Sequence, residues 1–436
     1  MALVSSWGLL KQAEHRICAI TDRSVRGVFQ IDESLTNRTF LPRGNGRSYG
    51  DVCTNSEGTL IWTGFLDRFI DFDPKNMTVT VESGVLLREL QMFLVLRGFM
   101  LPVTPGTQEV SVGGAIACDV HCKNHHKYGT FGCNVKSFKL LRSDGEILEC
   151  SLSENEGFFK ATIGGLGLTG LITEATLLLK KVSGSWINAE NIPFYNLNEF
   201  FDLAKVSESR YEHTVSWIDC ITGSGERGIF MRGNNSDRTD CKLLNGAVNF
   251  PITPPFSLVN SLSLRLFNFF YFHAQSLKKR PFWVQYEKFF YPLDHVGNWN
   301  RIYGRKGFFQ YQCVVPMSQG LDAISEIQQQ IADANEGSFL GVLKTFGSKK
   351  SPGLLSFPFH GVTYALDFPN RGERTEKLFR NLDSIVREAG GRLYLAKDAR
   401  QPKELFESGY GSVMDEFLKY VDPRISSDLS RRLMGF

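Results

Sequence analysis

The chain has 436 residues, 42% of them hydrophobic and 22% charged, with a formal net charge of +3 at pH 7. Such a chain is too long for one ordinary core, so two domains are expected; its balance excludes a disordered protein and gives no electrostatic case for nucleic acid as partner. The nine cysteines are irregularly spaced and form no CxxC pair, which argues against a disulfide framework and a structural zinc site and for a reducing compartment.

The segment 1–11 has a short apolar stretch but no basic leader, so no signal peptide is expected. No window of about 18 apolar residues is present to span a bilayer. Up to about residue 180 the chain is glycine-rich and reads as short strands joined by tight loops. Residues 59–63 and 77–82 are predicted strands. In 86–97 the side chains Leu86, Leu90, Phe93 and Leu94 make one helical face, which Gly98 ends. Segments 135–141 and 146–150 flank Ser143-Asp144-Gly145, a hairpin signal, and 171–180 is a further strand. A second unit starts near residue 185. In its back half 310–315, 321–334, 339–344, 362–368, 376–389 and 392–396 read as strand, helix, strand, strand, helix, strand, the ferredoxin-like order. The free face of such a sheet can roof a ligand held by the first domain. No internal repeat is apparent.

Four motifs carry the chemistry. The run 42–51, PRGNGRSYGD, puts three glycines and a serine in one loop. Glycine permits positive φ and close approach, so backbone N–H groups can turn inward on a diphosphate; an ordinary turn between strands is the bland alternative. No helix-period segment follows it and Gly-Lys-Ser/Thr is lacking, so it is neither a Rossmann fingerprint nor a Walker A loop. The run 102–119, PVTPGTQEVSVGGAIACD, joins fixed turns at Pro102, Pro105 and Gly106 to small residues from Gly113 to Ala117. A flat ligand could lie against that stretch, and Thr107 and Ser111 could bond phosphate or ribityl oxygens; a tightly packed strand is the alternative. The run 119–126, DVHCKNHH, gathers three of the eight histidines and a lysine. Adjacent histidines in an extended segment point to opposite faces and no acidic ligand is suitably spaced, so a polar, cationic wall is favoured over a metal site. The fourth is 163–172, IGGLGLTGLI.

Together these motifs resemble the FAD-binding (PCMH-type) domain of the vanillyl-alcohol-oxidase superfamily. The finer motifs RGNGRSYGD, PGTQEVSVGGAIACDVHCKNHH, FFYPLDHVGNWNRIYG, FQYQCVVP, VLKTFG and GRLYLAKDAR are similar to the decaprenylphosphoryl-β-D-ribose 2′-oxidase family, the flavin half of a two-enzyme epimerase. The resemblance runs from about residue 40 to the end. It implies an α+β, two-domain flavoprotein: residues 1–184, completed by 392–436, as the FAD-binding domain, and 185–391 as a substrate-binding cap with a ferredoxin-like antiparallel sheet. It further implies non-covalent FAD, oxidation of a polyprenylphosphoryl ribose at its 2′-hydroxyl, and a separate NAD(P)H-dependent short-chain reductase that completes the epimerisation for arabinan-type cell-envelope synthesis.

Residue by residue, the resemblance implies FAD contacts at Arg43, Gly44, Asn45, Gly46, Arg47, Ser48, Tyr49, Gly50 and Asp51. It implies a second set at Gly106, Thr107, Ser111, Val112, Gly113, Gly114 and Ala117. His121, Cys122, Lys123, Asn124, Ile172 and Tyr394 complete it. Lys397 matches the family's active-site lysine and is the expected base, with His121, Gln312 and Tyr49 beside it. Lys123, Trp217, Gln310, Gln312, Lys344 and Lys397 match sugar-pocket positions; without the resemblance Lys344 would read as a solvated surface charge. His121 or Lys123 is expected to supply positive charge near the flavin. Cys122 and Ala365 depart from the family pattern and could alter pocket shape.

The stretch 255–291 is rich in phenylalanine and leucine, and its apolar run up to Phe272 is followed by Lys278, Lys279 and Arg280. It suits a headgroup boundary or, equally, a helix buried in the second domain. The expected location is therefore cytoplasmic, with a peripheral contact at the inner membrane face. The competing functions are a soluble sugar or aldonolactone oxidase that uses oxygen, and a flavin-holding scaffold without turnover.

Overall fold

The computed structural model describes residues 2–10, 12–20, 25, 28–29, 39–221, 227–241, 248–278 and 281–436. The protein is α+β, and its described strands form three large sheets and two small ribbons.

The first sheet runs Ala2–Ser5, Gln12–Ala19, Thr59–Trp62, Phe40–Arg43. Its first pair is antiparallel and the rest parallel. Phe40, Leu41, Leu60 and Ile61 are buried against Phe406, Phe417 and Leu429 of helices Lys403–Leu418 and Asp428–Leu433, so the end of the chain completes the core begun near its start. The second sheet, Phe69–Asp73, Thr78–Glu82, Leu171–Leu178, Val135–Leu141, Ile147–Ser151, is antiparallel throughout. Its hairpin turns at Gly145, whose φ of 93° is easy only for glycine. Helix Leu87–Val95 buries Leu87, Leu90 and Leu94 and stops short of Gly98, with φ 79°.

The small-residue run is not extended. It forms the short helix Val112–Ala117, with Ser111 Oγ accepting the Gly114 N–H at 3.2 Å as its cap. Val112, Ala115 and Ile116 share one buried helical face, and that burial outweighs the poor helix propensity of Gly113 and Gly114.

The third sheet has eight strands, ordered Phe282–Gln285, Trp186–Phe194, Gly228–Asn235, His213–Ile218, Val342–Phe346, Gly361–Pro369, Phe308–Pro316, Arg392–Leu393. Numbered by sequence within each half, both halves have the strand order 4-1-3-2, so the sheet repeats a β-α-β-β-α-β unit that the sequence does not advertise. The halves differ in their helices. Gly320–Asp333 and Glu373–Glu388 of the second half and Leu197–Glu208 of the first bury Ile324, Ile327, Leu382 and Phe200 on one face of the sheet. Ser261–Ser276 instead packs through Phe272 on Trp217 and Ile229, side chains of the opposite face. That inversion puts a helix over the face expected to be free.

Candidate active site

A cavity of about 750 Å³ lies between the glycine-rich loops and the face of the large sheet that carries Trp217, Gln312 and Lys344, a size that suits a cofactor with a substrate beside it. The loop after strand Phe40–Arg43 forms one wall. Gly46 has φ 63°, and a Cβ on Gly44 would sit 2.1 Å from Ser111 Oγ, so both positions need glycine. The loop is stitched on three sides: Asn45 Nδ2 donates to Glu109 O at 2.8 Å, Trp7 N to Ser48 O at 2.9 Å, and Tyr49 N to Ala396 O at 3.3 Å. Arg47 stacks its guanidinium 4.3 Å over the Trp7 ring.

The opposite wall is a network on His121. Lys344 Nζ is 3.3 Å from its Nδ1, and the Gln312 amide is 3.0 Å from its Nε2 and 3.3 Å from the Thr363 hydroxyl. The ring packs on Phe346 and Tyr394, and the Tyr394 hydroxyl donates to Cys118 O at 2.8 Å. Burial, then the neighbouring Lys344, hold the His121 imidazole well below its usual range. The expectation that His121 supplies positive charge is therefore corrected: at neutral pH it is a neutral hydrogen-bonding group. The charge belongs to lysines. Lys123, hydrogen-bonded to Phe289 O, Lys344 and Lys397 are each pushed down to about 8, burial being the largest cause, so all three remain mostly cationic at pH 7. Lys397 Nζ lies 3.8 Å from the centroid of the Tyr49 ring, and burial pushes the Tyr49 phenol well up, keeping it a donor.

Most expected residues line this cavity: Arg43 to Tyr49, Gly106, Thr107, Ser111, Gly113, Gly114, Ala117, His121 to Lys123, Ile172 and Tyr394 on the loop side, and Trp217, Gln310, Gln312, Lys344 and Lys397 on the sheet side. Ala365 lines it too. Four do not, and they act from behind. Gly50 abuts the Asp398 carbonyl, and Asp51 accepts Arg432 Nη2 and Nε at 2.9 and 2.8 Å. Val112 is fully buried in the core, and Asn124 spends its Nδ2 on Pro102 O at 2.8 Å. The Trp217 indole N–H is likewise engaged, by Phe339 O at 3.0 Å. Trp7, Ser83 and Asn191 line the cavity and were not anticipated; nothing in their local sequence marks them. Asp367, behind Gln310, was also missed, although its strand alternates Thr363, Ala365, Asp367 on one face, and that period of two could have exposed it.

The residues fit FAD. The glycines let the loop pack directly on Ser111 and Arg43, and on the cavity beside them Arg47 Nε and Ser83 Oγ are buried with no hydrogen-bond partner among the described residues, two orphaned polar atoms that a bound cofactor can satisfy. An FAD binding domain family matches residues 34–151. These features define the class: an FAD-dependent oxidoreductase acting on a CH–OH group. The chain is 35% identical to a decaprenylphosphoryl-β-D-ribose oxidase of Mycolicibacterium smegmatis, over 98% of this chain and 96% of that one. It therefore belongs to the decaprenylphosphoryl-β-D-ribose oxidase family. It is also 30% identical to an uncharacterised protein of Streptomyces coelicolor, covering 80% of this chain and all of that one. Mouse L-gulonolactone oxidase matches at 36% identity over only 31% of this chain.

Proposed function

We propose that the protein oxidises the 2′-hydroxyl of a polyprenylphosphoryl-β-D-ribose to the 2′-ketone, in a two-domain scaffold of the vanillyl-alcohol-oxidase type in which 1–184 with 394–436 hold FAD and 185–393 cap the substrate; the expected boundary at 391/392 moves because strand Arg392–Leu393 pairs with the cap sheet. The observation that carries this reading is the position of Lys397, a buried amine on the cavity wall with its pKa lowered to about 8. FAD, when bound, supplies the hydride acceptor. Lys397 takes the hydroxyl proton, and Gln310 and Gln312, two residues apart on one strand, face the sugar together. Lys123 and Lys344 give the pocket a cationic character that suits a phosphodiester. A reductase that returns the ketone with inverted configuration would complete the epimerisation used in arabinan synthesis.

Anaerobic mixing with polyprenylphosphoryl ribose should bleach the flavin, whereas free pentoses or aldonolactones should not. Bleaching by free lactones alone would sink the lipid-linked reading. Only the neutral amine can accept the proton, so the bleaching rate should rise about tenfold per pH unit below about pH 8 and level off above it.

FAD is held without a covalent bond. Two candidate nucleophiles on the cavity wall are occupied, and a third is held protonated: Cys53 donates to the Ser48 and Gly50 carbonyls with its thiol pushed up by burial, both His121 nitrogens have partners, and burial pushes the Cys118 thiol up to about 11. Acid precipitation should therefore leave a colourless pellet.

The lipid tail is proposed to leave beside helix Ser261–Ser276. No described helix is long and apolar enough to cross a membrane. The helix instead exposes Leu262 (69%), Leu266, Phe269 and Phe270 (66%), spaced to share one face. Tyr271, Gln275 and Lys278 border the cavity. Lys279 and Arg280, the rest of the basic cluster, lie outside the described residues. The helix is thus half packed and half free, which suits a surface lying on an anionic bilayer. Because Leu264, Asn268 and Phe272 are core residues, deleting the helix would damage the fold. Replacing Leu262, Phe269 and Phe270 with serine should abolish binding to anionic liposomes while FAD content stays intact; undiminished binding would refute the contact.

A further inference from the structure

Asp367 is a buried acid outside the cavity wall. Its backbone N–H donates to Ser338 Oγ at 2.9 Å, and its Oδ1 accepts Gln310 Nε2 at 2.6 Å. Its Oδ2 is buried with no hydrogen-bond partner among the described residues. Leaving half of a carboxylate unsatisfied in the interior is costly unless a nearby cation compensates it. The groups that face it are Gln310, the phenols of Tyr49 and Tyr303, and Lys397. The groups that face Lys397 are Asp367, Cys118, Lys344, His121 and Tyr49. Of these, Lys344 opposes a charge on Lys397, His121 is neutral, and burial pushes the Cys118 thiol up to about 11. Asp367 is the one carboxylate in the set.

We infer that Asp367 is a positioning residue that sets the proton affinity of Lys397 from behind the cavity, with Gln310 as the hydrogen-bond donor that holds it in place and favours its ionised form. The inference rests on the reading of Lys397 as the base. Burial disfavours a charge on either group alone and holds the Asp367 carboxyl up at about 7. Each nonetheless favours the other's charge: the ammonium that forms on Nζ, when it takes the hydroxyl proton, is favoured by the carboxylate that Asp367 becomes above about pH 7. Without the acid the amine would be neutral more of the time but poor at keeping the proton it receives.

The test reads the lysine directly, so it stands whether or not the protein turns over the proposed substrate. The holoprotein is treated with cyanate, which carbamylates neutral amines, across pH 6 to about 10, and modification of Lys397 is followed by peptide mass spectrometry. Asp367→Asn should move the apparent pKa of Lys397 down by about one unit or more, and Asp367→Glu should restore it. Gln310→Met keeps the acid but removes its donor, and should shift the lysine in the same direction; it also serves if Asp367→Asn does not fold. An unchanged Lys397 profile in Asp367→Asn or Gln310→Met overturns the inference. In parallel, the acid limb of anaerobic flavin reduction should move down in Asp367→Asn. Loss of bleaching in the unaltered protein would fault the oxidase reading, while the cyanate profile would still decide the role of Asp367.

Discussion

Lys397→Ala should lower the rate of anaerobic flavin bleaching by polyprenylphosphoryl ribose by about two to four orders of magnitude, the usual worth of a general base, while FAD content stays normal. The side chain makes its contacts inside the cavity, 3.8 Å from the Tyr49 ring centroid, whereas the turn that carries it is held by backbone bonds from Lys397 N and Asp398 N to Tyr394 O. Truncation at Cβ leaves that turn intact. The pH dependence should change as well. The rise through about pH 8 belongs to this amine, so the residual rate of the variant should lose it. A variant that bleaches at the normal rate, with the same pH profile, would remove Lys397 from the chemistry.

The second large effect is expected at a residue that touches no ligand. In Gly50→Ala the new Cβ would fall 1.5 Å from the Asp398 carbonyl oxygen and 2.3 Å from its carbon. Both are backbone atoms, so no side chain can swing aside, and the loop must part from the turn behind Lys397. Overpacking of this kind costs about 1–3 kcal/mol, and a shift of about 1 Å between catalytic groups can cost about a hundredfold in rate. The variant should purify with little FAD, melt about one to three degrees lower, and bleach at least about a hundredfold more slowly. Gly411→Ala is the control: nothing lies within 4 Å of its added Cβ, and the position is inside helix Lys403–Leu418, where alanine is the better residue. If Gly50→Ala keeps its flavin and its melting temperature, the packing argument fails.

Much of the site was legible because its signals are local. A loop such as RGNGRSYGD announces its backbone through its glycines, and the alternation of Gln310 and Gln312 announces a strand face. The back half of the large sheet was legible for the same reason, since Ile324, Ile327 and Ile331 recur at helical spacing. The front half was not. Strand His213–Ile218 is buried along its whole length and shows no alternation, and helix Ser261–Ser276 is apolar on both its packed and its free side. The run from Gly113 to Ala117 was legible as a small-residue lining but not as a helix, because that helix depends on a serine cap and on tertiary burial, which weak local propensity hides. Asp367 and Arg432 matter through partners far away in sequence: Lys397 in one case, Asp51 and Asp398 in the other.

The clasp at Arg432 bears on when the protein can acquire its colour. Arg432 grips Asp51, 381 positions earlier, and Asp398 as well, so the loop and the turn behind Lys397 are fastened by one guanidinium. A contact across that span forms late, because so much chain must first be brought together. During synthesis the glycine loop has therefore left the ribosome long before its anchor exists. Flavin capture is then a finishing step that follows assembly of the whole scaffold, and a nascent chain halted before Arg432 would stay pale in a pool of free FAD.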